Sequence, residues 1–239
     1  FSLSASFFLF LAMLLAIYML SIPRKGITID SKNVGGGSFD AIKNSLKNSE
    51  IRNIATYVWV WTALMTIQWI TAINIVEDWS QDSEQRLRFF ATIEQVISPL
   101  TLVVQLFLTN IIINKFGIRN IMLSYGLLFC VAYLAYGLAP SIVSVGVVTV
   151  LLRVFEYGIN KPTRETIFSA FQKNDRYKST VFIDTFISRF GDLSGSSFIA
   201  FSKLTTLASN VFPLMAIPIA GYLSFLGIKI SQDFKTKDL

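Results

Sequence analysis

RYKSTVFIDTFISRFGDLSGSS, residues 176–197, reads as helix from Val181 onward and sits between long apolar runs, yet it carries Asp184, Arg189 and Asp192. In a soluble domain such a helix would be one more surface element. In a chain whose mean hydropathy is +0.56 it reads as a membrane span that takes charge into lipid, and the choice between these readings decides the fold. Composition makes the choice. Of 239 residues, 53% are hydrophobic and 15% charged, against roughly 25% charged in an average soluble domain. A soluble domain of this length buries a large core without needing repeated apolar stretches of membrane-spanning length. The sequence therefore predicts an all-α, polytopic membrane helix bundle.

Outward from that stretch, spans are expected at about 1–20, 53–76, 89–113, 120–138, 141–160, 181–203 and 208–229, seven in all. The first, FSLSASFFLFLAMLLAIYML, lacks an initiating Met and a basic leader and runs into SIPRKG rather than a small-residue cleavage site. It reads as a span and not a signal peptide, which leads to the expectation that the chain begins in mid-protein. Lys and Arg fall in alternate connections: Arg24 to Arg52, then Lys115 and Arg119, then Lys161 to Lys178, and finally Lys229, Lys235 and Lys237. These share one side, which the positive-inside rule assigns to the cytoplasm. Glu77, Asp78, Asp82 and Glu84 fall on the other. The net charge of +6 is thus accounted for by topology, and no nucleic-acid partner is expected.

Residues 21–52 form the one sizeable soluble connection, a cytoplasmic linker in which the glycines of NVGGGSFDAIK precede Phe39, Ile42 and Leu46 at the spacing of a short amphipathic helix. That helix is expected to lie on the membrane or on the bundle. Residues 231–239 read as a cytoplasmic tail. Cys130 is the only cysteine and His is absent, so neither a disulfide framework nor a His or Cys metal site is available. There is no Ser-His-Asp set, no Walker lysine loop and no GxGxxG after a strand. The expectation is a protein that is not an enzyme and needs no cofactor.

Charges inside the spans sort by helix. Spans one, four and seven carry none and are expected to face lipid; span three has Glu94, span five Arg153 and Glu156, and span six Arg189 and Asp192. Each costs ~2.5–3.5 kcal/mol at the bilayer centre on insertion scales, so each should face protein or water. Thr149, Arg153, Glu156 and Asn160 recur at i, i+4, i+7 and i+11, as do Thr185, Arg189, Asp192 and Ser196, and Glu94, Ser98, Thr101 and Gln105; each set makes one polar stripe on an apolar helix. Tyr57, Trp61, Leu64 and Gln68 give a softer version in span two. A single stripe is equally well interhelical hydrogen bonding. Three together favour the wall of an aqueous pathway.

At 1.5 Å per residue, Arg153 lies roughly 18 Å from the outer end of span five and Asp192 roughly 16 Å from the inner end of span six, within one turn of the same level in a core of about 30 Å. Glu156 and Arg189 match likewise. Reciprocal pairs Arg153–Asp192 and Glu156–Arg189 are therefore geometrically possible. They admit two meanings: a structural lock between helices, or solute ligands in which Arg engages an anion bidentately and a carboxylate releases it or carries a proton.

The run NKPTRETIFSAFQKNDRYKSTVFIDTFISRFGDLSGS, Asn160 to Ser196, resembles bacterial ATP/ADP-translocase-like transporters, in which N-x-P-x-R-E-x-L-F precedes R-Y-K-x-K-x-F-I-D-T and R-x-G-D. GGGSFDAIK, Arg153 and QLFLTNIIINKFGIRN, Gln105 to Asn120, are similar to the same family. The resemblance implies a major facilitator fold of two six-helix halves, each lined by its first, second, fourth and fifth helices. Residues 53–230 would be the C-terminal half, residues 1–20 the last helix of an N-terminal half, and that half the chief partner of this one. It also implies exchange of ATP and ADP, but with a departure: Asp192 stands where nucleotide exchangers of the family commonly carry a lysine.

In the loop between spans five and six, Pro162 is expected to end or bend the helix, and RETIFSAFQK to form a short amphipathic helix with Ile167, Phe168 and Phe171 against the membrane. Arg164, Glu165, Arg176, Lys178 and Asp184 are candidates for a cytoplasmic charge latch, and Gly117 for a tight turn between spans three and four. The functional expectation is a secondary-active transporter in a bacterial inner membrane, moving a small anionic solute by alternating access, with Arg153, Glu156, Arg189, Asp192, Glu94, Gln105 and Asn160 as solute or gating residues. The alternatives are a proton-coupled facilitator for an unrelated solute, with Glu94 as proton carrier, and a membrane scaffold or sensor that does not transport.

Overall fold

A computed structural model of the chain describes residues 10, 11, 13, 14, 17, 18, 48–171, 173–204 and 211–235, apart from the side chains of 173–175, 177, 203, 204, 234 and 235. The expected linker hinge and amphipathic helix, and the end of the tail, lie outside the described residues. The chain divides into two units, Phe1–Gly36 and Gly37–Leu239. In the first, the described residues between Phe10 and Tyr18 are helical and exposed. The elements below belong to the second.

Helix α1, Ser49–Trp79, starts where the Asn48 side chain accepts from the Glu50 amide at 3.0 Å, satisfying one of the donors that a helix start leaves unpaired. Asp82 caps α2, Ser83–Val103, in the same way. A π-helical turn, π1 at Val104–Leu108, leads directly into α3, Thr109–Leu138. The helical run from 83 to 138 therefore holds both the third and the fourth expected spans. It is broken at Gly117, whose φ of 72° and ψ of 161° lie outside any helix. Only glycine reaches that conformation without steric cost, so the expected turn is present as a kink between helical segments 109–116 and 118–138.

A Ser141–Ser144 capping box opens α4, Ile142–Phe155. It runs without a break through a second π-turn, π2 at Glu156–Asn160, into α5, Lys161–Ser169. Pro162 does not end the helix as expected. It sits in the first turn of α5, and the carbonyls of Tyr157 and Gly158, one turn back, accept from Gln105 and Thr109 in place of the amide that proline lacks. The expected membrane-surface helix is likewise corrected, because Ile167 and Phe168 are each 3% exposed and pack in the core. Next come α6, Lys173–Phe182, a third π-turn π3 at Ile183–Ile187, α7, Ser188–Leu204, the short α8, Val211–Met215, and α9, Ile217–Lys235.

The described residues are helical apart from short connections, without strands. Among the described residues four helices are long and apolar enough to cross a membrane: Ser49–Trp79, Ser83–Leu138, Ile142–Ser169 and Val211–Asp233. This is the make-up of an integral membrane protein. Packing follows the aromatic and small residues. Tyr125, Phe129, Tyr133 and Tyr136 recur along one face of α3 and are fully buried against α1, α4 and α9, while Leu127, Val131, Leu134 and Leu138 of the same helix are exposed. The expectation that span four faces lipid holds for one face only. α9 lies along α3 and α1, α7 along α1, and α2 along α4. The α1–α7 contact depends on Gly191 and Gly195: a Cβ on Gly191 would stand 2.7 Å from the Trp59 carbonyl oxygen, and one on Gly195 2.5 Å from that of Ala63. Small residues four apart let two helix backbones approach to this range.

Candidate functional site

Where π2 meets α1 and α3, six side chains with polar atoms converge in an otherwise apolar interior. Asn160 donates from Nδ2 to Glu156 Oε2 at 2.6 Å and accepts from the Tyr57 hydroxyl on Oδ1 at 3.0 Å. Arg164, one turn further along α5, brings Nη2 to 3.8 Å from Glu156 Oε1, an ion pair too long to be a hydrogen bond. Its guanidinium lies over the Trp61 ring at 4.7 Å, and the Trp61 indole donates to the Tyr125 hydroxyl at 2.8 Å. Tyr125 in turn stacks on Phe155. Glu156 is 1% exposed, Asn160 0% and Arg164 6%. Within this buried set Glu156 Oε1 and Arg164 Nη1 have no hydrogen-bond partner. A buried charged group left unpartnered costs about 1–3 kcal/mol or more, so the cluster is held together against its own preference for water.

The π-turns position these groups. A single π-turn inserts one residue into the helix and is frequent at functional sites. π1 and π2 lie side by side: Gln105 donates to the Tyr157 carbonyl at 2.9 Å and Thr109 to that of Gly158 at 2.5 Å, satisfying backbone oxygens on π2 from the neighbouring helix. Gln105, expected to line a pathway, thus spans the two bulges. Just before π2, Arg153 donates to Glu94 at 2.5 Å, and its guanidinium lies near the rings of Trp69 and Tyr157. The Arg153 side chain is 25% exposed and that of Glu94 48%, so this second pair is open to its surroundings.

The reciprocal pairs that depth allows between spans five and six are not formed. Arg153 is held by Glu94 and Glu156 faces Arg164. Arg189 pairs within its own helix with Asp192 at 3.3 Å, and Asp192 also accepts from Thr66 of α1 at 2.9 Å. The physical reason is lateral: α7 packs along α1, whereas the Arg153 face of α4 packs on α2. The expected latch is also corrected in one member. Arg164 belongs to the buried cluster, while Glu165, Arg176 and Asp184 are exposed and Lys178 is half-buried.

Sequence reasoning missed three features. The aromatic stripe of α3 was legible as Tyr125, Phe129, Tyr133 and Tyr136 at helical spacing, and the α7 contact as Gly191-x-x-x-Gly195. The third is a cavity of about 730 Å³ toward the C-terminal end of α1, lined by Asn74, Glu77, Asp78, Tyr136 and Ser141 among others. Below it the Gln68 amide donates to the Tyr136 hydroxyl at 2.8 Å and to Thr149 at 3.2 Å. Tyr57, Trp61, Gln68, Thr71 and Asn74 therefore mark a polar track along α1 from the buried cluster to the cavity. Among the described residues no group of three or more side chains is arranged to hold a metal ion. Compared with known proteins, the chain matches no family model, no curated protein and no solved structure.

Proposed function

We propose that the protein is a secondary-active transporter that carries a small anionic solute across a bacterial inner membrane by alternating access. The observation that carries this reading is the buried Glu156–Asn160–Arg164 cluster on a π-turn inside an apolar helix. Ion pairs in such surroundings bring little stability over apolar residues of the same size, and ionisable groups within membrane helices characteristically belong to transport paths. The polar track along α1 and the cavity at its end support the same reading.

In this reading seven spans cross the bilayer and the fold is of the major facilitator type. Residues 53–230 are its C-terminal half, 21–52 the cytoplasmic linker, and 1–20 the closing helix of the N-terminal half. Exchange of ATP and ADP, which the resemblance implies, is opposed by Asp192: unit charges ~4 Å apart interact by about 4 kcal/mol at an effective dielectric near 20, so an aspartate beside Arg189 weakens the potential that a polyphosphate needs.

Counterflow in liposomes, with full-length protein carrying both halves, tests these statements. Labelled small anions should exchange without an imposed gradient, and labelled ATP and ADP should not. Uptake driven only by an acid outside would favour the proton-coupled facilitator, for which the Arg153–Glu94 pair supplies a carboxylate that is half exposed. Silence toward every solute would leave a scaffold or sensor.

A further inference from the structure

We propose that Arg164 is the receptor for the solute's oxyanion, that Glu156 occupies this receptor in its absence, and that binding therefore carries one proton in with the anion. The inference rests on the transport reading for the existence of a small anionic solute.

Three arginines could serve, and the geometry separates them. Arg153 is already bonded to Glu94 at 2.5 Å. Arg189 has a side chain 83% exposed and is paired along its own helix. Arg164 is buried, yet its Nη1 has no partner, and its Nη2 stands 3.8 Å from the carboxylate it faces. Trp61 covers the guanidinium face and so leaves the edge, where all the donors lie, as the side from which a ligand binds. A carboxylate or phosphate oxygen pair fits that edge bidentately.

Glu156 is built as the displaceable occupant. It is gripped from behind, through Oε2, by Asn160, which Tyr57 holds in turn, while Oε1 on the receptor side makes no hydrogen bond and meets Arg164 only as the 3.8 Å ion pair. Once an anion takes Arg164, the charged and titratable groups left facing Glu156 are Tyr57 from α1, Tyr125 from α3 and Lys161 on its own helix. The neighbouring π1 contributes the neutral Gln105. Lys161 is exposed and the tyrosines are neutral, so none replaces Arg164 as a buried counter-charge. The carboxylate takes a proton that enters from the bulk solution with the anion, and the step balances: one anion and one proton enter, Glu156 becomes the neutral acid, and Arg164 exchanges one oxyanion for another.

The test uses full-length protein in nanodiscs of zwitterionic lipid, titrated with acetate and with inorganic phosphate at acid and at neutral pH and read by tryptophan fluorescence. The signal is assigned to the site by its loss in Trp61→Phe. At least one of the two anions should bind the wild type, more tightly at the lower pH. Glu156→Gln should bind it about tenfold more tightly and lose the pH dependence, and Arg164→Lys should bind it about tenfold less tightly, each tenfold step being about 1.4 kcal/mol. Thermal melts of the three proteins establish that each is folded. Unchanged affinity in Arg164→Lys, no gain in Glu156→Gln, or no binding of either anion by wild type and Glu156→Gln would each overturn the proposal. Counterflow separates this from the transport reading. Binding as expected without counterflow leaves the receptor and removes the transporter; undiminished counterflow by Arg164→Lys does the reverse.

Discussion

Glu156 and Arg164 make a pair whose two halves have unequal consequences when removed singly and together. Truncating Glu156 to Ala strands a buried guanidinium, and a loss of about 3–5 kcal/mol is expected, measured as a lower unfolding midpoint of the solubilised protein. Replacing both residues with apolar ones of similar volume, Glu156→Leu with Arg164→Met, should return stability to within about 1 kcal/mol of wild type while leaving counterflow absent. A pair kept only as a lock would not be missed by the double variant. The outer pair behaves differently because it is partly open: a double-mutant cycle on Arg153 and Glu94 should give a coupling of about 1 kcal/mol. Exchanging those two charges should restore abundance in the membrane. The exchange of Arg153 with Asp192 should not, since those two residues have different partners.

At the scale of elements, the α1–α7 contact gives the most direct forecast. Gly195→Leu forces a side chain toward the Ala63 carbonyl at a site where even a Cβ would stand at 2.5 Å, and overpacking of this kind costs about 1–3 kcal/mol or more. The melting point should fall, whereas Gly221→Ala, with open space around its Cβ position, should leave it unchanged. Much of the element pattern was legible. Apolar run length located the long helices. The stripes of Tyr57, Trp61, Leu64 and Gln68 and of Thr149, Arg153, Glu156 and Asn160 are buried but for Trp61 and Arg153, which are half-buried. Glu94, Ser98, Gln105, Thr185 and Arg189 of the other two stripes are exposed, contrary to the expectation that they face inward. Arg164 was misplaced because Pro162 was expected to end or bend the helix, whereas the helix continues and the carbonyls that the missing amide leaves are met by Gln105 and Thr109. The partners of Arg153 and Glu156 were misassigned because helical rise fixes depth along the axis and carries no information about which helices are neighbours. The π-turns were invisible to any argument built on a period of 3.6.

For the whole molecule, the distribution of charge makes a statement about sidedness. A cysteine at Ser83, beside the acidic connection, should react with an impermeant thiol reagent applied outside. One at Lys115, beside the Gly117 kink, should react only after the membrane is opened, both in a Cys130→Ser background. The opposite pattern would invert the protein. Both positions are exposed, so accessibility at each reports the side of the membrane.

The π-turn at Glu156–Asn160 has a consequence for how the sequence tolerates change in length. A π-turn is an α-helix with one residue too many, so this helix stores a surplus residue beside its buried charges. Deleting Tyr157 would let the helix close into ordinary α geometry while the α segments on either side keep nearly the same faces, because the bulge is what absorbs the extra residue. Glu156 and Asn160 would then stand three positions apart instead of four, off the geometry in which one holds the other, and the Tyr157 carbonyl that receives Gln105 would vanish with its residue. The expected outcome is a protein that still inserts, with helix content unchanged by circular dichroism, but with no response of its tryptophan fluorescence to acetate or phosphate. A one-codon deletion would thus act where most substitutions on the lipid-facing side of the same helix are silent, and the reading frame itself becomes a probe of the site.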